Sequence, residues 1–258
     1  MILKTTALAL RFYPFSNTSR IVAWLTPDQG RIATMVKGSQ RPRSLFLGQY
    51  DLFYTCELLY HRRERGGLHI ARECSPLKWR EGLRRDWRAA AAASYLCGLV
   101  AQAVPPEAPQ ESLFRLLDSA LDHLDSSGAG EPFVFWFELR LLEQLGLSPR
   151  LRQCAACGTE LALSPRRSEF AAARGGLLCG VCADRPGGGI RPRVGGDVLG
   201  MLAGWQQARS PQGPLNTKCS VRQIAAIEVL LGGFLEYHLE FQPVGRREAL
   251  DVLARRVA

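Results

Sequence analysis

Four cysteines carry the plainest chemistry in the chain. Cys154-Ala155-Ala156-Cys157-Gly158 and Cys179-Gly180-Val181-Cys182 are two C-x-x-C knuckles with 21 residues between them. Each knuckle sets two thiolates on one turn, and two knuckles complete the tetrahedral four-sulfur shell that structural zinc prefers. The separation is just longer than the usual range. The pattern predicts one zinc ion held by Cys154, Cys157, Cys179 and Cys182, structural because no ligand position stays open; free core thiols or a redox pair are the alternatives. Cys56, Cys74, Cys97 and Cys219 stand singly among apolar residues and read as small core residues. His61, His69, His123 and His238 show no ligand spacing and no local Cys or Ser partner.

The second set is basic. The formal charge is +9, and residues 1–88 hold 16 Lys and Arg against 7 Asp and Glu, so the whole excess lies in the first third. The remaining 170 residues balance at 17 of each sign. Such asymmetry points to a polyanion, nucleic acid or an anionic membrane surface, with a merely solvated positive face as the alternative. The cations cluster as Lys37, Arg41 and Arg43 after an expected strand, Arg62, Arg63 and Arg65 around a hairpin, and Lys78, Arg80, Arg84, Arg85 and Arg88 at the start of the first helix. Phe12, Tyr13, Phe15, Trp24, Phe46, Tyr50, Phe53, Tyr54 and Tyr60 are interleaved with them, the mixture a groove for single strands needs; Trp24 and Tyr54 read better as core. The candidate nucleic-acid-contacting residues are Arg20, Lys37, Arg41, Arg43, Arg62, Arg63, Lys78, Arg84 and Arg85. A competing surface is Arg166, Arg167, Arg191, Arg193, Arg246 and Arg247.

Catalytic motifs are missing. There is no G-x-x-x-x-G-K-[ST], G-x-G-x-x-G, G-x-S-x-G or H-E-x-x-H, and Gly187-Gly188-Gly189 lacks the following Lys and Ser or Thr of a phosphate loop. The expectation is a protein that is not an enzyme. Met1 to Leu10 is interrupted by Arg11 with no small-residue cleavage site after it, and Ala89 to Val104 is too short to span a bilayer, so neither an export signal nor a membrane span is expected. Eight cysteines without an export signal then suggest a reducing compartment.

The elements that must position these groups change period near residue 76. Leu8, Leu10 and Phe12, Ile21 to Leu25, Ile32 to Val36, Leu52 to Tyr60 and Leu68 to Cys74 read as five strands, with turns at Pro27-Asp28-Gln29-Gly30 and Arg65-Gly66-Gly67. Five short strands suggest a closed barrel, an OB-fold before an SH3-like one. Beyond Pro76, Leu113 to Leu124, Phe133 to Leu145 and Ile224 to His238 carry apolar residues at helical spacing, with breaks at Pro105-Pro106 and Gly128-Ala129-Gly130. The expected architecture is an α+β, multidomain chain: an N-terminal OB-fold barrel over 1–76 that binds nucleic acid, a helical domain over 77–153 and 196–258, and a four-cysteine zinc-binding insert over 154–195. Four or five helices in one bundle is the economical reading, with Arg185 to Gly196 as a loop.

In order and spacing, several stretches resemble one family. Ala7 to Arg11, Ser19-Arg20-Ile21-Val22, Thr26-Pro27-Asp28-Gln29-Gly30-Arg31 and Lys37-Gly38-Ser39-Gln40-Arg41-Pro42-Arg43-Ser44 are similar to the OB-fold signature of the bacterial DNA repair and recombination mediator family RecO. Phe137-Glu138-Leu139-Arg140-Leu141-Leu142, Leu145-Gly146, Pro149 and Cys154 to Gly158 resemble the stretch leading into its zinc module, and Phe234 to Leu239 also fits. Gln242-Pro243-Val244-Gly245-Arg246-Arg247 departs from the Leu-Lys-Ser-Arg usual there. The similarity covers about residues 5–250. It implies binding of single- and double-stranded DNA, annealing of complementary strands, and partnership with RecR and the single-strand binding protein SSB while recombinase is loaded. It also implies a cytoplasmic, nucleoid-associated protein, monomeric when free. A zinc-containing RNA-binding or protein-adaptor module with a basic barrel is the alternative.

Overall fold

The computed structural model of the chain describes residues 1–64, 67–161, 168–185 and 191–255. In chain order come β1 (Ile2–Ser16), β2 (Ser19–Thr26), β3 (Gly30–Val36), β4 (Thr55–His61) and β5 (Leu68–Lys78), then helices α1 (Gly82–Arg85), α2 (Trp87–Ala103), α3 (Glu111–Ser127) and α4 (Glu131–Gln144). There follow β6 (Ser168–Ala171), β7 (Gly176–Leu178), α5 (Gly180–Ala183), β8 (Arg193–Val194), α6 (Gly196–Gln207), α7 (Gln212–Asn216), α8 (Val221–Leu239) and α9 (Arg246–Ala254). The chain forms two compact units, one of residues 1–129 with 244–255, the other of 130–243.

In the first unit the five strands close a barrel in the order β1-β2-β3-β5-β4. Neighbours are antiparallel except β3 and β5, which run parallel. This is the OB-like barrel that the strand spacing suggests. One long strand, β1, pairs with both β2 and β4, and to do so it must bend; register shifts between Ala9 and Arg11 and between Pro14 and Ser16 supply the bend. Expected as a short alternating strand, β1 is 15 residues long, and Ala7, Leu8, Ala9 and Leu10 are all buried. Alternation is lost because Ala7 and Ala9 join the barrel core while α2 packs on the same strand.

Trp24, Leu58 and Tyr60 are fully buried in that core, each such side chain contributing about 1.5–3 kcal/mol. Trp24 Nε1 donates to Thr34 Oγ1 at 2.9 Å, so its one polar atom is satisfied. Tyr54 also belongs to the core. The turn before β3 ends on Gly30 at φ +62°, where a Cβ would sit 1.8 Å from the Ala108 carbonyl oxygen. Residues 104–110 dock there, Glu107 N donating to Arg31 O and Gln110 N to Pro27 O.

Two strand expectations need correction. The fourth strand begins at Thr55, not Leu52: Phe53 takes φ +69° and Tyr54 N donates to Asp51 O, a turn that breaks the period-two pattern. The fifth runs on through Pro76 to Lys78, Pro76 lying beside a register shift, a place where a strand tolerates proline. The expected turn at Arg65-Gly66-Gly67 begins outside the described residues, as Gly187 to Gly189 lie outside them entirely.

The helices do not make one bundle of four or five; they divide between the units. In the first, α2 starts on Asp86, whose carboxylate accepts from the N–H groups of Arg88 and Ala89, and α9 returns from the far end of the chain to pack on α2. In the second, Phe133 to Leu142 of α4 are all buried, as a helix surrounded by α6, α7 and α8 requires. α8 begins with a capping box of Ser220 and Gln223. β7, β6 and β8 form a three-stranded sheet beside the paired cysteines, and β8 with the start of α6 falls within the stretch expected as a Gly-rich loop.

Candidate metal centre and basic barrel surface

The first knuckle is laid against β7 by main-chain bonds. Arg150 N donates to Gly175 O at 2.9 Å, Leu177 N to Arg150 O at 2.9 Å and Ala155 N to Leu177 O at 2.7 Å. This ladder needs the backbone of residue 176 bare, because a Cβ on Gly176 would stand 2.3 Å from Arg150 O. Gly158 at φ +78° then turns the chain so that its N–H reaches Cys154 O at 2.9 Å. The second knuckle wraps onto α5, where Cys182 N donates to Cys179 O at 3.0 Å.

The four sulfurs therefore converge, all within 4.8 Å of one another, with Cys157 Sγ and Cys179 Sγ 3.7 Å apart. A tetrahedral ion with metal–sulfur bonds of about 2.3 Å has sulfur–sulfur edges of about 3.8 Å, so the group can hold a metal ion with little movement. Cys154 and Cys182 are buried, Cys179 is half-buried and Cys157 is exposed. Burial opposes ionisation of Cys154, but N–H groups of Cys179, Cys157 and Ala156 point at its sulfur and bring its pKa down to about 6. Cys182 moves the other way, to about 12, because its thiol is hydrogen-bonded to Cys179 and burial adds to this. A cation is what allows all four to be thiolates at once. The site is tied to α8 by His238, whose Nε2 donates to Ala172 O at 2.9 Å, and by Phe234, whose ring is tilted against that of Phe170 at 5.7 Å between centroids.

At the barrel, the β2–β3 register sets Arg20 opposite Val36. Gly38 N donates to Ser19 Oγ and Gln40 N to Thr18 O, each at 3.0 Å, docking the segment after β3 on the β1–β2 turn. Lys37, Arg41 and Arg43 are thereby brought to the end of the barrel where Arg20 stands. Arg20 lies 5.7 Å from the centroid of the Phe12 ring, which packs edge-on against Tyr50. Among the described residues no ion pair is formed by Arg20, Lys37, Arg41 or Arg43, and Tyr13 and Phe15 are exposed on the adjoining stretch of β1.

The other candidates are not all brought to that end as free cations. Lys78 does not begin a helix; it closes β5 and lies 2.6 Å from both Asp118 and Asp122. Arg84 is 2.6 Å from Asp51 and stacks on Tyr54, and Arg85 pairs with Glu81 at 3.2 Å. Arg62 is 3.8 Å from Glu107, whereas Arg63 is exposed with no ion pair among the described residues. In the competing C-terminal set, Arg193 pairs with Glu169, Arg247 with Asp251, and Arg191 donates to Ala183 O. Arg166 and Arg167 lie outside the described residues. A phosphate must displace a carboxylate from the paired ones, whereas Arg20, Lys37, Arg41, Arg43 and Arg63 have no carboxylate partner among the described residues.

Arg80 was legible only as one more cation. Its guanidinium reaches Phe53 O, Thr55 Oγ1, Asp118 and Asp122, and its role is to fasten the barrel to α3. The signal is Asp118 and Asp122 at i and i+4, two carboxylates one turn apart on the amphipathic helix α3.

Comparison with known proteins agrees with both halves. The family model described as Recombination protein O N terminal matches residues 1–80, and that described as Recombination protein O C terminal matches residues 84–248. DNA repair protein RecO of Anaeromyxobacter dehalogenans (strain 2CP-C) is 31% identical over 248 residues, 95% of this chain and 94% of that protein. DNA repair protein RecO of Rhodopirellula baltica is 30% identical over 211 residues, 82% of this chain and 77% of that protein. Two matches that between them span the barrel, the helices and the paired cysteines place the chain in the recombination protein O family of DNA repair proteins, RecO.

Proposed function

We propose that the protein binds single- and double-stranded DNA through the basic end of its barrel, anneals complementary strands, and helps load recombinase onto SSB-coated DNA with RecR and SSB as its protein partners. The observation that carries the DNA reading is the convergence of Arg20 with Lys37, Arg41 and Arg43, without carboxylate partners among the described residues. Phosphate neutralisation there holds two strands near each other, and base pairing supplies the driving force. The protein makes and breaks no covalent bond in this reading, which agrees with the missing catalytic motifs. It works in the cytoplasm at the nucleoid, as a monomer when free. Cys154, Cys157, Cys179 and Cys182 hold one structural zinc ion, a metal suited to four soft thiolates in a closed tetrahedron.

An annealing assay with complementary oligonucleotides, EDTA in the buffer and no nucleotide tests this reading. Strands should join faster with the protein than without it, and the gain should vanish when Lys37, Arg41 and Arg43 are replaced by Ala. No acceleration, or a requirement for ATP, contradicts it.

A further inference from the structure

The segment between β3 and β4 carries more than its cations. Leu45 is 91% exposed and Leu47 65% exposed, while Phe46 between them turns inward against Tyr50 and the barrel core. This exposure belongs to a built conformation. Successive main-chain bonds run from Arg41 N to Gly38 O, Ser44 N to Arg41 O, Leu47 N to Ser44 O and Gln49 N to Phe46 O, and Ser44 Oγ accepts from Phe46 N. Phe46 anchors the segment, the turns hold it, and the two leucines stand out in water two and four residues beyond Arg43. Single exposed apolar residues are ordinary, but here two stand on one hydrogen-bonded turn next to cations with no ion pair among the described residues.

We infer that Leu45 and Leu47 form an apolar wedge that enters a base step of duplex DNA and unstacks it while Lys37, Arg41, Arg43 and Arg20 grip the flanking phosphates. This rests on the DNA reading of the barrel. Charge complementarity selects the occupant: a polyanion with apolar faces between its charged rails meets a loop with apolar tips beside its cations. Leucine is a side chain that proteins insert between base pairs, at a cost in stacking recovered by wider contact with the bent duplex. A protein that brings strands together for annealing gains from opening a step of competing duplex.

The test is a duplex with 2-aminopurine at a central step, whose fluorescence rises when the base unstacks, titrated to saturation so that affinity does not enter the signal. The wild-type protein should raise the fluorescence about threefold or more, and Leu45→Ser with Leu47→Ser should remove most of the rise. The slope of log affinity against log salt should stay, because it counts phosphates only. Leu45→Met with Leu47→Met keeps the wedge apolar and should keep the signal. Both leucines are exposed, so neither change disturbs the core. A saturated wild-type complex with no rise, or a Ser variant that retains it, overturns the wedge and leaves DNA binding standing. Absence of any DNA binding overturns both.

Discussion

Arg80 holds its guanidinium 2.6 Å from a carboxylate oxygen of Asp118 with 2% of its side chain exposed, joining the end of the barrel to α3. The same arginine sits at φ +50°, a conformation a non-glycine residue adopts only where its surroundings hold it. Replacing Arg80 by Met takes the donor from Thr55 Oγ1 and Phe53 O and leaves Asp118 held by Lys78 and Thr55 alone, which should cost about 1–3 kcal/mol in urea unfolding. A midpoint within error of wild type would show the cluster to be incidental.

The same cluster sets an acid limit. Burial resists ionisation of Asp118, but hydrogen bonds from Lys78, Thr55 and Arg80 prevail and hold its pKa below the ordinary carboxyl value. Its folded pKa is depressed, so the stabilisation is complete above the ordinary carboxyl range and is lost as pH falls through the folded value. Thermal unfolding from pH 7 to pH 3 should fall less steeply for Asp118→Asn, which starts lower.

His69 acts at higher pH. It is 1% exposed, its ring tilted against that of Tyr60 at 5.3 Å between centroids, and its pKa is lowered by burial, with Glu107 opposing and Arg62 and Arg63 reinforcing the shift. The unfolded chain then takes up a proton that the folded one resists, so stability is full above about 6.5 and declines as pH drops below it. His69→Gln should remove this part of the pH dependence, measured as the shift in melting temperature between pH 7.5 and pH 5.5.

How much of this was readable from the chain depended on whether the cause was local. The paired cysteines announce their site because ligand spacing is a local property, and the turn at Pro27 to Gly30 is local too. The length of β1 was hidden because α2 covers it and erases the alternation of Ala7 to Leu10. Lys78 and Arg84 looked like DNA contacts because their partners, Asp118, Asp122 and Asp51, lie 33 to 44 residues away in sequence. The return of α9 to the first unit likewise depends on α2, whose Arg88 donates to Leu253 O across 165 residues.

The metal centre should announce itself by stoichiometry and by region. Purified protein should contain about one zinc per chain, and Cys179→Ser should destabilise residues 130–243 while the barrel keeps its hydrogen-exchange protection. Absence of bound metal together with full stability of the quadruple Ser variant would remove the site.

Gly176 tests the geometry behind that centre without touching a ligand. Gly176→Val places side-chain atoms against Arg150 O and forces β7 away from the first knuckle. Zinc release to a chromophoric chelator should become faster by about tenfold or more, since supporting residues around a metal typically change its affinity on that scale. A release rate equal to wild type would show that the Arg150–Gly176 ladder does not shape the site.

A salt series with a labelled single strand tests most directly whether the barrel's basic end is the DNA surface. Each phosphate contact on a single strand contributes about 0.7 to the slope of log affinity against log salt, so Lys37→Ala, Arg41→Ala and Arg43→Ala together should flatten the slope by about 2. Affinity at low salt should fall with it, and zinc content and melting temperature should not change. Lys78→Ala with Arg84→Ala, whose charges are already matched by Asp118, Asp122 and Asp51, should move the slope far less. A loop variant that keeps the wild-type slope and affinity would contradict the account.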